Sequence, residues 1–303
     1  MKILLGDNPF FGVNHRLGSK ALDDESERFD TAALVIAAAQ THGIRSLMLS
    51  THPGYDRLLT TAVRALAEPH AFEIAPVVPY PHTINNIIAQ DGYSGFLKRL
   101  GFRDIAAVTA DALRLTGFSR RRGKAALERA FRLIIDVELD CIRKTGFAVR
   151  HVCLHNILTD LLLAFGRFEM LQGFINACSR LGLRAVLISQ NPAALLSAPL
   201  TGPLVACFSY NKLGYMVNPS IERVVDAIAT SDRSNWEMWA MQILAGGGIT
   251  PEAAMQDDVL RHFDAVLYAT TKPERIGQLI DVVKSSGLVA NPRQTVASPP
   301  GDG

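Results

Sequence analysis

The chain has 303 residues, 48% apolar, 7% aromatic and 20% charged, which excludes a disordered chain, a collagen-like repeat and a small disulfide scaffold. Its 31 Lys and Arg against 29 Asp and Glu leave a formal net charge of +2, so charge gives no basis for a nucleic-acid or membrane-surface partner. Cys141, Cys153, Cys178 and Cys207 show no C-x-x-C spacing and read as buried free thiols in a reducing compartment. The apolar run after Met1 is too short for a secretory signal, and no uninterrupted apolar segment reaches the ~18–20 residues of a membrane span. The expectation is a cytoplasmic protein.

Short aliphatic runs alternate with longer amphipathic stretches along the chain. Ile3-Leu4-Leu5 is the first run, followed by a predicted helix over 31–41 that ends at Gly43. The second run covers 46–49 and its helix 56–67; the third run is 74–78. The fourth is 151–154, with a helix over 169–180 ending at Gly182, and the fifth is 185–188. The sixth is 205–208 with a helix over 220–229, and the seventh is 238–244. The eighth is 265–268, followed by a helix over 273–284. Eight apolar strands alternating with helices predict an α/β protein, a single (β/α)8 TIM barrel over 1–289. A doubly wound sheet fits six strands better than eight and usually carries G-x-G-x-x-G after its first strand; here that strand runs into Gly6-Asp7-Asn8-Pro9.

The interval between the third and fourth strands is too long for one βα unit. It predicts a helical insertion over about 83–148, with helices over 84–100 and 124–144 flanking a Gly117 to Gly123 segment that holds Arg120, Arg121 and Arg122. The triple arginine reads as a solvated loop, with a lid over an anion as its sharper alternative. The Pro- and Gly-rich 290–303 tail is expected to be disordered.

Barrel chemistry sits at the C-terminal ends of the strands. There the sequence delivers Asp7, the Phe10-Phe11 pair and His15; Ser50, His52 and Tyr55; Tyr80 and His82; His155 and Asn156; Ser189, Gln190 and Asn191; and Tyr210, Asn211 and Lys212. This rim is rich in imidazole, phenol and amide groups, which predicts an active site. Phe10 and Phe11 read as core or as pocket wall, and Asp160 as a helix N-cap. His151 reads as a packing or surface residue, His42 and His70 as helix caps or solvent contacts, and Trp236 and Trp239 as core or oligomer contacts. Two loops point to phosphate. Gly246-Gly247-Gly248 lets backbone N–H groups approach an anion, and Thr271, Lys272 and Arg275 flank a helix start after the eighth strand.

These segments, taken in order, resemble the aldo-keto reductase superfamily over most of the chain. Tyr55 stands where that family has its catalytic tyrosine, and Cys153-Leu154-His155-Asn156 is similar to the segment that supplies its histidine. Ser189 with Asn191 resembles the pair that holds a nicotinamide carboxamide, and Tyr210 the residue that stacks on the ring. Gly246, Gly247, Gly248, Thr271, Lys272 and Arg275 resemble its cofactor-phosphate segments. The resemblance implies an oxidoreductase acting with NADP(H) on a small polar carbonyl or hydroxyl metabolite. The chain departs from the family at two positions. Ser50 replaces the aspartate, and Val78-Pro79-Tyr80-Pro81-His82 offers no lysine. A free phenol ionises near ~10, so losing its tuning groups would cost on the order of 10²–10⁴ in rate. His52 and His82 are candidates to replace the lysine as a cationic neighbour.

Three other readings stay open. The same rim could run proton transfers through Asp7, His52, His82, His155 and Tyr55 on a phosphorylated small molecule, as an isomerase, lyase or aldolase. Asp7, His52, His82 and His155 are acceptable ligands for a divalent metal, although no local spacing indicates one. Finally, the barrel could be a binding or regulatory subunit. The expected partner is a small molecule, with no nucleic acid and no membrane; oligomeric state is not readable.

Overall fold

A computed structural model describes residues 1–12, 24–52, 54–78 and 120–287, with the backbone alone at 120–126. Eight parallel strands close a barrel in sequence order. They are β1 (Lys2–Gly6), β2 (Ser46–Ser50), β3 (Glu73–Val78), β4 (His151–Leu154), β5 (Arg184–Ser189), β6 (Leu204–Ser209), β7 (Trp236–Met241) and β8 (Ala265–Tyr268). β8 pairs back onto β1, with Lys2 opposite Ala265 and Leu5 opposite Tyr268, so the sheet has no free edge.

The helices of the outer ring, among the described residues, are α1 (Glu25–Thr41), α2 (Tyr55–Ala65), α3 (Arg120–Lys144), α4 (Asn156–Ala164), α5 (Phe168–Arg180), α6 (Pro192–Leu196), α7 (Ile221–Thr230), α8 (Pro251–Met255) and α9 (Glu274–Ser285). None is long and apolar enough to cross a membrane. All four cysteines are free, and Cys141 alone among them is not buried.

Local chemistry sets these boundaries. α1 starts six residues before the predicted position because Asp24 caps it, accepting from the Ser26 and Glu27 N–H groups at 2.7 and 3.3 Å. β7 begins at Trp236 and stops at Met241, earlier than the predicted 238–244, because the chain turns left-handed at Gln242 (φ 60°). α4 and α6 are short helices that the sequence reading did not resolve, whereas α8 starts at the Thr250-Pro251 pair that the sequence marks as a helix start. The insertion does contain a helix up to Lys144, and it begins at the triple arginine rather than after it. The predicted 84–100 helix and the 290–303 tail lie outside the described residues.

Two apolar layers make the core. Alternation along each strand sends one set of side chains into the barrel, including Leu4, Met48, Ala75, Cys153, Val186, Cys207 and Trp239. The other set, including Leu5, Leu47, Val152, Leu187 and Phe208, packs under the helices. Burying each large side chain of this kind contributes roughly 1.5–3 kcal/mol. On α3, Phe131, Ile135, Leu139 and Ile142 fall on one helical stripe and are buried. Phe131 meets Phe174 of α5 edge-on with ring centroids 5.6 Å apart. Gly173 of α5 allows this approach: a Cβ there would stand 2.9 Å from Leu127 Cδ2.

Candidate active site

Because all strands run the same way, their C-terminal ends form one rim. Asp7, Ser50, His52, His155, Ser189, Tyr210, the 246–248 turn and Lys272 all follow those ends. Which of them face the lumen depends on the two-residue period of each strand. Continuing the inward phase places Ser50, His155, Gln190 and Ser209 over the lumen. Ser189 and Tyr210 fall in the outward phase.

Asp7 is a deeply buried carboxyl of the rim, 4% exposed. Its Oδ2 accepts the Ser50 N–H at 2.6 Å, and the Ser50 hydroxyl also supports it. By the period of β1, Asp7 shares the outward phase of Leu5, and its carboxyl reaches sideways to the end of β2. Burial pushes Asp7 up to about 7, against the opposing pull of its bonds to Ser50 and its own backbone. Near neutrality such a group is divided between acid and base, the condition general acid–base work requires. A carboxyl therefore stands beside Ser50, delivered by the neighbouring strand. Phe10 is core at 2% exposure, whereas the Phe11 ring lies 4.7 Å from that of His52, which is half-buried.

His155 follows β4 and caps α4. Its own N–H donates to the Val78 carbonyl at 3.0 Å, and its Nδ1 accepts the Ile157 N–H at 3.3 Å. A ring nitrogen that accepts an N–H carries no proton, so the neutral imidazole bears its hydrogen on Nε2. Burial lowers the His155 pKa, which keeps the ring neutral at pH 7. Thus β4 presents a neutral N–H donor at the rim.

Asp160, one turn into α4, is not an N-cap. Its two oxygens accept the Ser189 hydroxyl at 2.5 Å and the Gln190 N–H at 2.9 Å. Ser189 Oγ in turn accepts the Asn191 N–H at 2.9 Å, and Asn191 Oδ1 caps α6 through the Ala194 N–H at 3.2 Å. Sequence reasoning missed this chain because its signal is spatial, not local. It fixes the β5 loop and leaves the half-buried Gln190 side chain as the amide on the inward phase. Asn211, 2% exposed, does the same between β6 and β7: its Nδ2 donates to the Tyr215 and Gln242 carbonyls at 2.8 and 3.1 Å.

Several sequence-derived assignments change in the structure. Tyr55 opens α2, and its hydroxyl donates to the Cys141 thiol of α3, in the outer layer rather than over the lumen. Burial first, then Cys141 and the charges of Glu138 and Asp56, hold the phenol well above its ordinary value. Tyr210 is 3% exposed, packs 5.8 Å from the Phe263 ring and donates to Asp257 Oδ2 at 3.1 Å, so its ring has no open face. Ser189 is fully buried with its hydroxyl engaged on both sides.

The glycine turn uses two of its N–H groups internally. Gly247 donates to the Leu244 carbonyl at 2.8 Å and Gly248 to that of Ala245 at 3.2 Å, while positive φ at Gly246 (64°) and Gly247 (91°) explains the glycines. Thr271, Lys272 and Arg275 are exposed at the start of α9, and no ion pair engages either cation among the described residues. His15 and His82 lie outside the described residues, and among those described no cluster of three metal-ligating side chains occurs.

No protein-family profile matches the chain. No curated protein matches it either. The chain is similar to two solved structures, each provisionally described as an aldo-keto reductase from Pseudomonas aeruginosa. In the first the TM-score is 0.56 at 17% identity, covering 94% of this chain and 90% of that one. In the second it is 0.55 at 16% identity, covering 94% and 89%. The end-to-end match together with the closed eight-stranded sheet gives this chain the barrel fold of those aldo-keto reductase structures.

Proposed function

We propose that the chain is an oxidoreductase of the aldo-keto reductase type, acting with NADP(H) on a small polar carbonyl or hydroxyl metabolite. The observation that supports it most is the Asp7 carboxyl seated on Ser50. It returns an acid–base group to the part of the rim where the family resemblance expects an aspartate. The residues present fit a nicotinamide dinucleotide at two ends. Thr271, Lys272 and Arg275 would meet a phosphate, and the Gln190 amide would pair with the carboxamide. Tyr210 and Ser189 are left out of this set, being covered and engaged. When bound, the cofactor supplies or accepts the hydride. The chain's own part is to orient and protonate: His155 Nε2–H donates to the carbonyl oxygen, and Asp7 gives or takes the proton there.

Titration with NADPH, followed by absorbance at 340 nm with short hydroxyaldehydes, tests this reading. Saturable binding with turnover supports it. Absence of binding at concentrations on the order of hundreds of micromolar would remove it, given that working KM values lie at ~1 μM–1 mM.

A second reading is favoured by one specific pairing of observations: a carboxyl poised at about 7 beside a covered Tyr210. Here the enzyme moves protons on a phosphorylated small molecule without redox chemistry, with Lys272 and Arg275 on the phosphate. Turnover of a sugar phosphate by cofactor-stripped protein would select it.

A further inference from the structure

α3 buries one helical stripe, Phe131, Ile135, Leu139 and Ile142. Glu138 stands on the same side, three residues after Ile135 and four before Ile142, and is 1% exposed. A carboxyl among buried apolar side chains costs free energy, and a leucine would meet the packing alone. Glu138 Oε2 accepts the Thr51 hydroxyl at 2.8 Å. Thr51, also 1% exposed, is the first residue past β2. It shares the outward phase of Leu49, while Ser50 between them belongs to the inward phase. Glu138 also acts on the Tyr55 phenol, which opens α2 and meets Cys141 of α3.

The Thr51–Glu138 bond falls where the sheet stops holding the chain. The β2 ladder to β1 ends at Met48, opposite Gly6, and its ladder to β3 ends at Ser50, opposite Val77. Beyond Ser50 the described backbone bonds are local, from the His52 N–H to the Ser50 carbonyl at 2.8 Å and from the Tyr55 N–H to the His52 carbonyl at 3.0 Å. Leu49 is packed in the core before Ser50, and Thr51 is tied to α3 after it. Ser50 is thereby held from both sides, and with it the N–H and hydroxyl that support Asp7. We propose that Glu138 is a positioning residue: through Thr51 it holds the end of β2 so that Ser50 keeps its bonds to Asp7. This rests on the reading of Asp7 as the acid–base group. The Ser50 bonds pull the Asp7 pKa down against burial, so loosening them moves its titration further up from about 7.

The experiment follows the Asp7 carboxyl by carbon-detected NMR titration of the full-length protein, assigned with Asp7→Asn. It compares wild type with Thr51→Ser, Glu138→Gln and the double variant Thr51→Val/Glu138→Leu. The double variant replaces the buried pair by apolar side chains of similar size, so its melting temperature should stay near the wild-type value. Its Asp7 midpoint should rise by about one pH unit, the scale of a weakened charge-assisted hydrogen bond. Thr51→Ser keeps the hydroxyl and Glu138→Gln keeps an acceptor oxygen, so both should titrate as wild type. In NADPH-linked reduction of glyceraldehyde, the inflection of kcat/KM near neutrality should move up with the midpoint in the double variant only. Should the double variant not fold, Thr51→Val alone gives the same reading. An unmoved Asp7 midpoint in the variants that lack the tie would give the pair a purely structural role and overturn the proposal, whatever their melting temperatures. A Thr51→Ser midpoint shifted as far as theirs would also overturn it. A shifted midpoint in a protein whose wild type consumes no NADPH would remove the oxidoreductase reading and leave the positioning role of Glu138 standing.

Discussion

Asp7 of the β1 end and Ser50 of the β2 end are joined by a 2.6 Å bond from the Ser50 N–H to Asp7 Oδ2. The strands are hydrogen-bonded neighbours, with Gly6 opposite Met48, so the next residue on β1 lands against the end of β2. A carboxyl absent from position 50 is therefore present one strand away, at the same rim.

This pair makes a pH prediction. The carboxyl, ordinarily at 3.8, is held at about 7 by burial, so the folded state holds its proton more tightly than the unfolded chain. That contribution to stability is complete below pH 3.8 and is lost as pH climbs through about 7. Asp7→Asn, neutral throughout, should raise the melting temperature at pH 8 and leave it near wild type at pH 4. The gain is at most about 4 kcal/mol. Its kcat/KM should fall by ~10²-fold and lose the inflection near neutrality. A wild-type pH profile in an Asp7→Asn enzyme would place the acid–base group elsewhere.

His155 has two separable jobs, capping α4 through Nδ1 and presenting Nε2–H. Asn is also a good cap, so His155→Asn should keep stability within ~1 kcal/mol while kcat drops by ~10²–10³-fold. His155→Ala should lose both, with about 1 kcal/mol of capping. Burial lowers the ring's pKa below its ordinary 6.5, so nitrogen-resolved NMR should show a neutral Nε2–H tautomer at pH 6.5. An Nδ1–H signal would contradict the assignment.

Composition and strand order were legible in the sequence because both faces of a parallel barrel strand are buried, leaving eight apolar runs with helices between them. That Asp7, Ser50, His155 and Ser189 stand at strand ends was also legible. The direction of each was not. Ser189 and Ser209 both end a strand, yet the first points under α4 toward Asp160 and the second over the lumen. One residue of phase decides this, and a four-residue apolar run does not reveal which residues face inward. Asp160 shows the same limit: its partners Ser189 and Gln190 are about thirty residues away and are found only once α4 lies against β5. Tyr55 illustrates a different failure. Its spacing from Ser50 matches the family motif, but Gly54 (φ 85°) starts α2 directly before it and turns the ring toward α3.

That turn makes Tyr55→Phe informative. The hydroxyl bonds Cys141, and burial keeps the phenol protonated far above neutrality. The substitution should cost about 0.5–1.5 kcal/mol in stability, the worth of one hydrogen bond, and change kcat by less than about threefold. A hundredfold loss of kcat with an unchanged melting temperature would return Tyr55 to the reaction.

At the opposite end of the barrel, Glu73 on β3 is bound by His151 Nδ1, accepts the Ser46 hydroxyl at 3.2 Å and lies 3.9 Å from Arg150 Nη1. Burial alone would raise its pKa, but His151, Arg150 and Ser46 outweigh it and hold the carboxyl below its ordinary 4.5. The sign is opposite to that of Asp7. The contribution of Glu73 is complete above pH 4.5 and lost as pH falls below it. Glu73→Gln should therefore destabilise by about 1–4 kcal/mol at pH 7 and flatten the acid limb of the stability curve. It should leave kcat/KM unchanged, since Glu73 begins its strand and lies a barrel's length from the rim.

Lys272 and Arg275 give the sharpest test of the cofactor. Both are exposed beside the first turn of α9, where Lys272 donates its backbone N–H to Thr270 Oγ1 at 3.0 Å, which fixes the loop independently of its side chain. Removing either side chain should therefore leave the melting temperature unchanged. If they meet a cofactor phosphate, Lys272→Ala and Arg275→Ala should each raise the KM for NADPH by ~10-fold, a charge-assisted contact being worth about 1.5–3 kcal/mol before solvent screening. The KM for NADH, which lacks the ribose phosphate, should move less if that phosphate is the one they hold. Added salt should weaken NADPH binding to wild type and have less effect on the double variant, because the screened charges are gone. Equal salt dependence in wild type and double variant would place the phosphate away from the α9 start, and with it the cofactor's path across the rim.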